Sequence, residues 1–188
     1  MLTLWDILEP RLKRRRRPAA IAAPRPEPRQ APKAPPRQSP MRDKYDEITK
    51  RMLREHSVRV RKWRTSMSGV AWQVTYANGT VSNLIEAPRP RGPMSAAVFL
   101  HEIGHHAIGL GAFTPRCLEE YHAWRFSIET MRRERLNVTP AVEQRMQESL
   151  EYAVYKALRR GLKRLPTELE PYLPKAQAWL VASAARAR

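Results

Sequence analysis

The chain is short of cysteine, of acidic residues and of long apolar runs. Its one cysteine, Cys117, rules out a disulfide within the chain, and nothing indicates an oxidising compartment. No stretch approaches the roughly 20 apolar residues that a membrane-spanning helix needs. The start, MLTLWDILEPRLKRRRRP, puts its apolar residues before its basic run, which reverses the order of a secretory signal. We therefore expect a cytoplasmic protein without a transmembrane segment.

The deficit of acidic residues gives the chain a large positive charge. Against 35 Lys and Arg residues there are 18 Asp and Glu residues, so the formal net charge is +17 and the sequence pI is near 11.0. Charge of this size favours association with a polyanion such as DNA or RNA. The alternative is a solvated basic surface, and charge alone does not separate the two.

Residues 1–40 have the composition of a disordered basic arm. They hold nine of the 17 prolines, and ten Lys or Arg residues against three acidic ones. Residues 2–9 can form two turns of amphipathic helix, which are too short to be stable alone. One basic run in the arm suits phosphate contacts with DNA or RNA. It consists of Lys13, Arg14, Arg15, Arg16 and Arg17.

The folded part begins near Met41. Apolar side chains at helical spacing predict a helix over about residues 43–56. Residues 72–76 alternate apolar and polar side chains, an Asn-Gly pair follows at 78–79, and a second apolar run covers 81–85. Because Asn-Gly is a preferred pair for a tight turn, this pattern predicts a β-hairpin.

Four more helices are predicted, over about residues 95–108, 114–135, 139–160 and 174–186. The second and third each begin with a Thr-Pro pair, in which threonine is the N-cap and proline the first helical residue. The predicted fold class is α+β, helix-rich, with a β-hairpin or short antiparallel sheet. We expect three parts: the arm 1–40, a domain over 41–135, and a helical extension over 136–188 packed on that domain.

The helix over 95–108 carries the motif HEIGH, which fits His-Glu-x-x-His. His101 and His105 lie one turn apart on the same face, so both imidazoles can reach one tetrahedral zinc ion. Glu102 points about 100° away around the helix and can act as a base on water. The surrounding residues are apolar, and a metal ion would satisfy polar groups buried among them. The alternative is a core helix whose histidines are hydrogen-bonded to neighbours.

Catalytic zinc takes three protein ligands, so one more must come from elsewhere. A third histidine six positions after HEIGH is excluded because residue 111 is glycine. The candidates on the next helix are Glu119, Glu120 and His122, with Cys117 a weaker one. We favour Glu120, because it lies close to the helix side with small residues, where two helices can approach.

The segments HEIGHH and EEYHAWRFS are similar to the ImmA/IrrE-type family of zincin metallopeptidases. That family pairs an HExxH helix with a later helix of the form E-x-x-A-x-x-F-A. Glu120, Ala123 and Phe126 match the second motif, with Ser127 in place of its final alanine. The resemblance covers roughly residues 65–130.

The resemblance implies a small zincin-like domain that holds one Zn²⁺ ion. It implies that His101, His105 and Glu120 bind the zinc and that Glu102 is the general base. Many members of the family come from phages and mobile elements, and some cleave a repressor, which implies action in a bacterial or phage-infected cell. In zincins a substrate strand pairs with a sheet edge beside the active helix, and residues 81–85 resemble that edge.

Two further residues and a set of basic side chains are candidates for supporting roles at the site. His122 and Tyr121 are candidates for a second stabiliser of the oxyanion or for contacts behind the metal ligands. Basic residues cluster at the ends of two predicted helices. Either they interact favourably with the helix C-termini, or they form a basic rim that attracts an acidic substrate or DNA. These residues are Arg125, Arg132, Arg133, Lys156, Arg159, Arg160, Lys163 and Arg164.

Three functions agree with these patterns. The first is a zinc-dependent metallopeptidase that hydrolyses a peptide bond in a specific protein substrate. The second is a zincin-like domain that keeps its metal and acts as a regulatory or binding module. The third is a nucleic-acid-binding protein of a phage or mobile element, which the charge of +17 favours.

Overall fold

The computed structural model describes residues 39–186, with side chains up to residue 183. The amphipathic segment 2–9 and the basic run 13–17 lie outside the described residues. The predicted α+β class is confirmed, since five α-helices accompany one three-stranded sheet. No helix among the described residues is long and apolar enough to cross a membrane.

The five predicted helices are present, with ends shifted by a few residues. Thr139 caps the fourth helix, since its hydroxyl accepts a hydrogen bond from the Val142 amide at 3.4 Å. Thr114 does not cap the third helix, which begins one residue after Pro115. A short 3₁₀ helix, Thr167–Tyr172, precedes the last helix. The helices are α1 Pro40–Glu55, α2 Pro93–Ala107, α3 Arg116–Arg133, α4 Pro140–Arg159 and α5 Leu173–Arg186.

The sheet is mixed, and it contains one strand that the sequence analysis missed. Strands β2 (Val70–Thr75) and β3 (Val81–Pro88) form the predicted antiparallel hairpin, with Gly79 in the turn at φ 80°. Strand β1 (Val58–Arg64) pairs with β3 in parallel, so the order is β1-β3-β2. The prediction that residues 81–85 form a sheet edge is therefore wrong, because β3 is the central strand.

Helix α2 lies at the centre of the core. Eleven of its 15 residues are buried, among them Phe99 and Ile103, which are at most 1% exposed. One side of the helix faces the sheet, where His106 Nε2 lies 3.1 Å from the carbonyl oxygen of Leu84 on β3. Burying this apolar helix between sheet and helices stabilises the fold and fixes where its polar residues point.

The opposite side of α2 packs antiparallel against α3. Near one end of the contact, the hydroxyl of Ser127 donates a 2.7 Å hydrogen bond to the carbonyl of Ala97. In the middle, Gly104 lies so close to Ala123 that a Cβ on Gly104 would come within 2.8 Å of the Ala123 carbonyl oxygen. The small residues thus permit the close approach that the sequence pattern predicts.

The C-terminal helices belong to the same unit as the rest. Contacts group the described residues 39–186 together, so the predicted division at residue 136 does not separate two independent bodies. Helix α4 packs on α3, and Glu151 of α4 lies 2.9 Å from Lys175 Nζ of α5. The extension therefore supplies part of the surroundings of α2 and α3.

Candidate metal centre

Helix α2 buries all three polar residues of the HEIGH motif. His101, Glu102 and His105 are 7%, 5% and 4% exposed. Their positions on the helix place the two imidazole rings together, with centroids 4.7 Å apart. Buried polar groups need partners, so the contacts of each ring decide what the cluster can hold.

Glu120 of α3 completes a three-residue cluster with the two histidines. Its Oε2 lies 3.4 Å from His101 Nε2 and 3.7 Å from His105 Nε2. Two ligands of a tetrahedral zinc ion with bonds of about 2.0–2.2 Å are about 3.3–3.6 Å apart. The ligand atoms lie within 4.8 Å of one another, so they fit around one ion. These separations suit ligands of a common cation better than direct hydrogen bonds.

Glu119 occupies the other side of His105. Its Oε1 accepts a 3.0 Å hydrogen bond from His105 Nδ1, and its Oε2 accepts a 2.9 Å bond from the backbone amide of Gly111. A proton on Nδ1 leaves the Nε2 lone pair free to bind a metal. The geometry therefore disfavours Glu119 as a metal ligand. Its carboxylate instead orients the His105 ring.

His101 is held by stacking. Its ring lies against the Trp124 indole at a centroid distance of 4.5 Å and an angle of 27°. Its Nδ1 and the Trp124 Nε1 are both buried without a hydrogen-bond partner among the described residues. The two imidazoles are thus oriented by different means, one by a carboxylate and one by an aromatic face.

Glu102 is buried and tightly packed. Burial raises its pKa to about 7, despite opposing charges nearby. Gly69, just before β2, lies against it, and a Cβ on Gly69 would collide with the carboxyl group. A carboxyl group with a pKa near neutrality can both accept and donate a proton at physiological pH.

The electrostatics of the cluster favour a bound cation. Burial lowers the pKa of His101. The Glu120 carboxylate acts to raise this pKa, and the positive charges of His105 and Arg145 act to lower it further. Burial also acts to lower the pKa of His105, but the carboxylates of Glu120, Glu102 and Glu119 outweigh it and raise the pKa. For Glu120 itself, burial acts to raise the pKa, yet the two histidines together lower it. Three carboxylates around one imidazole attract positive charge.

A cavity of about 400 Å³ opens beside His101 and Glu102. One wall is the segment before β2, and the other is helix α4. Arg145 of α4 lies in this wall; its guanidinium Nη2 donates to the Met67 carbonyl at 3.4 Å, and its Nε is buried without a partner among the described residues. The remaining α4 residues of the wall are Glu148, Ser149, Tyr152, Ala153 and Lys156.

Some predicted site residues lie elsewhere. Neither Tyr121 nor His122 lines this cavity; the His122 ring packs against Phe113 at 4.1 Å between centroids. Cys117 is buried and is not part of the cluster, and burial raises the pKa of its thiol. The structure thus brings His101, His105 and Glu120 together, and neither Tyr121 nor His122 belongs to that cluster.

Sequence reasoning missed three contributors to the site. Trp124 directly follows Ala123 of the second motif, but no sequence pattern indicates that an aromatic residue will stack on a histidine. Gly69 and Arg145 come from segments 32 or more residues away from the motif, so only packing brings them to Glu102. A comparison of the chain with known protein families, with curated proteins and with solved structures finds no match in any of the three.

Proposed function

We propose that this protein is a zinc-dependent metallopeptidase that hydrolyses a peptide bond in a protein substrate. The observation that carries the proposal is the cluster of His101, His105 and Glu120 beside a buried Glu102 and an open cavity. Two imidazoles and one carboxylate are a ligand set typical of catalytic zinc, which keeps one position for water or substrate.

The proposal assigns one chemical task to the ion and the rest to side chains. A zinc ion in this site would supply Lewis acidity and make water acidic enough to lose a proton near neutral pH. Glu102 takes a proton from a water molecule while the oxygen of that water attacks the peptide carbonyl carbon. Glu102 then gives that proton to the leaving nitrogen as the carbon–nitrogen bond breaks, which leaves a carboxyl group and an amine.

Arg145 is the candidate for a second stabiliser of the oxyanion. It lies in the wall of the same cavity as Glu102, and its Nε has no partner among the described residues. A charged donor held in a partly buried wall can stabilise negative charge as it develops on the carbonyl oxygen. It takes the role for which the sequence suggested Tyr121 or His122.

Strand β2 is the candidate edge for binding an extended substrate. Only β3 pairs with it among the described residues, so its other side carries backbone groups free to bond. The strand starts at Val70, next to Gly69 and therefore next to Glu102. A peptide that pairs with β2 would pass the mouth of the cavity.

Zinc stoichiometry tests the metal half of the proposal. We expect one zinc ion per chain in the wild-type protein and none retained in Glu120→Ala, since one of three ligands is lost. Glu119→Gln should keep zinc with about 10- to 100-fold lower affinity, because only the orientation of His105 is affected. Loss of zinc from Glu119→Gln with full retention in Glu120→Ala would reverse the ligand assignment.

Peptide hydrolysis tests the catalytic half. Glu102→Gln should retain one zinc ion per chain and lose hydrolysis, since glutamine cannot accept the proton from water. The measurement is cleavage of a peptide library by zinc-loaded protein, read by mass spectrometry. Hydrolysis at the wild-type rate by Glu102→Gln would refute the assigned role of this residue.

The positive charge favours a second candidate, a nucleic-acid-binding regulatory protein with a non-catalytic zincin-like domain. Ten of the 35 Lys and Arg residues lie in residues 1–40, including the run 13–17. If this arm binds DNA, its deletion should flatten the dependence of DNA affinity on salt concentration, because fewer counterions are released. A phage or mobile-element origin stays a prediction.

A further inference from the structure

A second cavity of about 590 Å³ adjoins the one at the metal centre. It lies between the start of α3 and the end of α4. Glu120, Ala153 and Lys156 line both cavities, so the two form neighbouring parts of one surface depression. A peptide with its reacting bond at Glu102 would therefore extend into the second cavity on one side. The other residues of this cavity are Pro115, Arg116, Cys117, Ala157, Arg160, Gly161 and Leu162.

The second cavity is basic. Its three cationic residues are Arg116, Lys156 and Arg160, and its one acidic residue is Glu120. Glu120 faces the two histidines and lies 3.7 Å from Arg116 Nε. The positive charge of the cavity is thus largely uncompensated by the residues that line it.

Lys156 and Arg160 have no acidic partner among residues 39–186. Lys156 Nζ lies 4.9 Å from the centroid of the Tyr152 ring, and Arg160 is exposed. By comparison, Arg125 on α3 bonds to Glu129 at 2.7 Å. A cation that lines a cavity and has no carboxylate partner is available to a ligand.

The alternative is that these residues only interact with the C-terminus of α4. Lys156 and Arg159 both lie in the last turn of α4, but Arg159 lines neither cavity and packs over the Tyr155 ring at 5.8 Å, so the helix-end explanation accounts for it alone. Lys156 and Arg160 are one turn apart, and both line the cavity. A general helix-end effect does not require two cations to face one cavity that adjoins a metal centre.

The other end of the depression lacks this bias. The cavity at the metal centre is lined by three acidic residues, Glu102, Glu120 and Glu148, as well as by Arg145 and the shared Lys156. Net positive charge is therefore concentrated on one side of Glu102. Any preference for acidic side chains in the substrate should be confined to one side of the cleaved bond.

We propose that the second cavity binds acidic side chains of the peptide substrate, on one side of the cleaved bond, through Lys156 and Arg160. The inference rests on the proposed peptidase function and adds the substrate class. Carboxylates of Asp or Glu would pair with these two cations, and partial enclosure would strengthen the pairs relative to open solvent.

The test is cleavage profiling of a proteome-derived peptide library by zinc-loaded protein. We expect Asp and Glu to be enriched within a few positions on one side of the cleaved bonds, and this enrichment to disappear in Lys156→Ala/Arg160→Ala. For one cleaved acidic peptide, kcat/KM should fall roughly tenfold in the double variant. For its Gln/Asn analogue, kcat/KM should stay within about twofold.

A matched control removes the same charge elsewhere. Lys50→Ala/Arg54→Ala changes two exposed residues of α1 that line neither cavity, and should leave the profile and kcat/KM unchanged. Circular dichroism and zinc content confirm that both double variants fold and bind metal. An equal loss of kcat/KM in the α1 control would assign the effect to net charge and overturn the inference.

The remaining outcomes separate the inference from the proposed function. Cleavage without acidic enrichment, or with enrichment that persists in the double variant, overturns the inference alone. No cleavage by the zinc-loaded wild-type protein overturns the peptidase proposal, and the substrate class with it. A short DNA duplex that competes with the acidic peptide in the wild type, and binds the double variant much more weakly, assigns the cavity to phosphates and overturns the inference.

Discussion

The neighbouring residues Glu119 and Glu120 contact opposite sides of the same imidazole. Successive side chains on a helix point about 100° apart, so two adjacent carboxylates can reach different atoms. Glu120 faces Nε2 of both histidines, and Glu119 bonds to Nδ1 of His105. This arrangement explains why the sequence left both as ligand candidates although the geometry favours one.

Glu102 and Gly69 are in close contact, although they are distant in the sequence. The carboxyl group occupies space that any side chain at residue 69 would fill. Glycine is present here because of this close approach, and its backbone φ is not in the left-handed region. The Glu102 carboxyl group can occupy this position because residue 69 has no side chain.

Arg145→Ala should lower kcat by about 10²- to 10³-fold and leave zinc content unchanged, because the variant loses a donor to the oxyanion and no metal ligand. Steady-state hydrolysis of a cleaved peptide, with zinc analysis of the same sample, provides the measurement. Arg132→Ala is the control, since Arg132 is exposed and lines neither cavity. Equal kcat in wild type and Arg145→Ala would exclude the residue from the chemistry.

The crossing of α2 and α3 brings the three candidate ligands together. Two of them come from α2 and one from α3, so the separation of the helices sets the spacing of the candidate ligand atoms. The contact depends on Gly104 against Ala123 and on the hydrogen bond from Ser127 to Ala97. Close packing at the crossing thus stabilises the fold and sets the distances among His101, His105 and Glu120.

Gly104→Ala should destabilise the protein by about 1–3 kcal/mol and weaken zinc binding, since the new Cβ meets backbone atoms of Ala123 that cannot move alone. In an exposed helix the same change would stabilise by about 1 kcal/mol, so the sign is diagnostic. Chemical denaturation and zinc titration give the two quantities.

Gly92→Ser is the control for this change. Gly92 is the N-cap of the same helix, a Cβ there meets nothing within 4 Å, and serine is a preferred N-cap residue. A Gly104→Ala protein as stable as the wild type would show that the helices can separate without cost.

A chain of charge +17 must limit repulsion among its basic residues. Buried Glu86 on the central strand does this locally, since it bonds to Arg61 at 2.8 Å and to Arg64 at 3.1 Å on β1. Desolvation acts to raise the pKa of Glu86, but the two guanidinium groups outweigh it and lower the pKa. The ionised carboxylate therefore helps to hold β1 to β3.

This lowered pKa predicts a pH-dependent stability difference between wild type and Glu86→Gln. The ionised carboxylate stabilises the fold fully above its unfolded pKa of about 4.3, and the stabilisation is lost as pH falls through the lower folded pKa. Glu86→Gln should thus be less stable than wild type at about pH 7, and the gap should narrow below about pH 4.

Urea unfolding at several pH values measures this gap. Glu129→Gln is the control, because its ion pair with Arg125 is exposed on both sides and should add little at any pH. A gap between wild type and Glu86→Gln that stays constant from neutral to acidic pH would contradict the assigned role of the carboxylate.

Strand β1 shows why part of the fold escaped sequence analysis. Of its seven residues only Val58 is buried, and Arg59, Arg61 and Lys62 are exposed. Its basic side chains conceal the apolar pattern, and its parallel pairing with β3 is a long-range contact with no local turn to signal it. The hairpin was predictable because its turn residues lie between the two strands.

The helices, the hairpin and the placing of His101 and His105 on one face were predictable from local sequence, because helical period and turn chemistry are properties of neighbouring residues. Which glutamate faces both imidazoles, that β3 is central between the edge strands β1 and β2, and that α4 supplies the second wall of the cavity all depend on tertiary packing. These depend on how elements distant in the chain pack, and a local pattern carries no information about such distances.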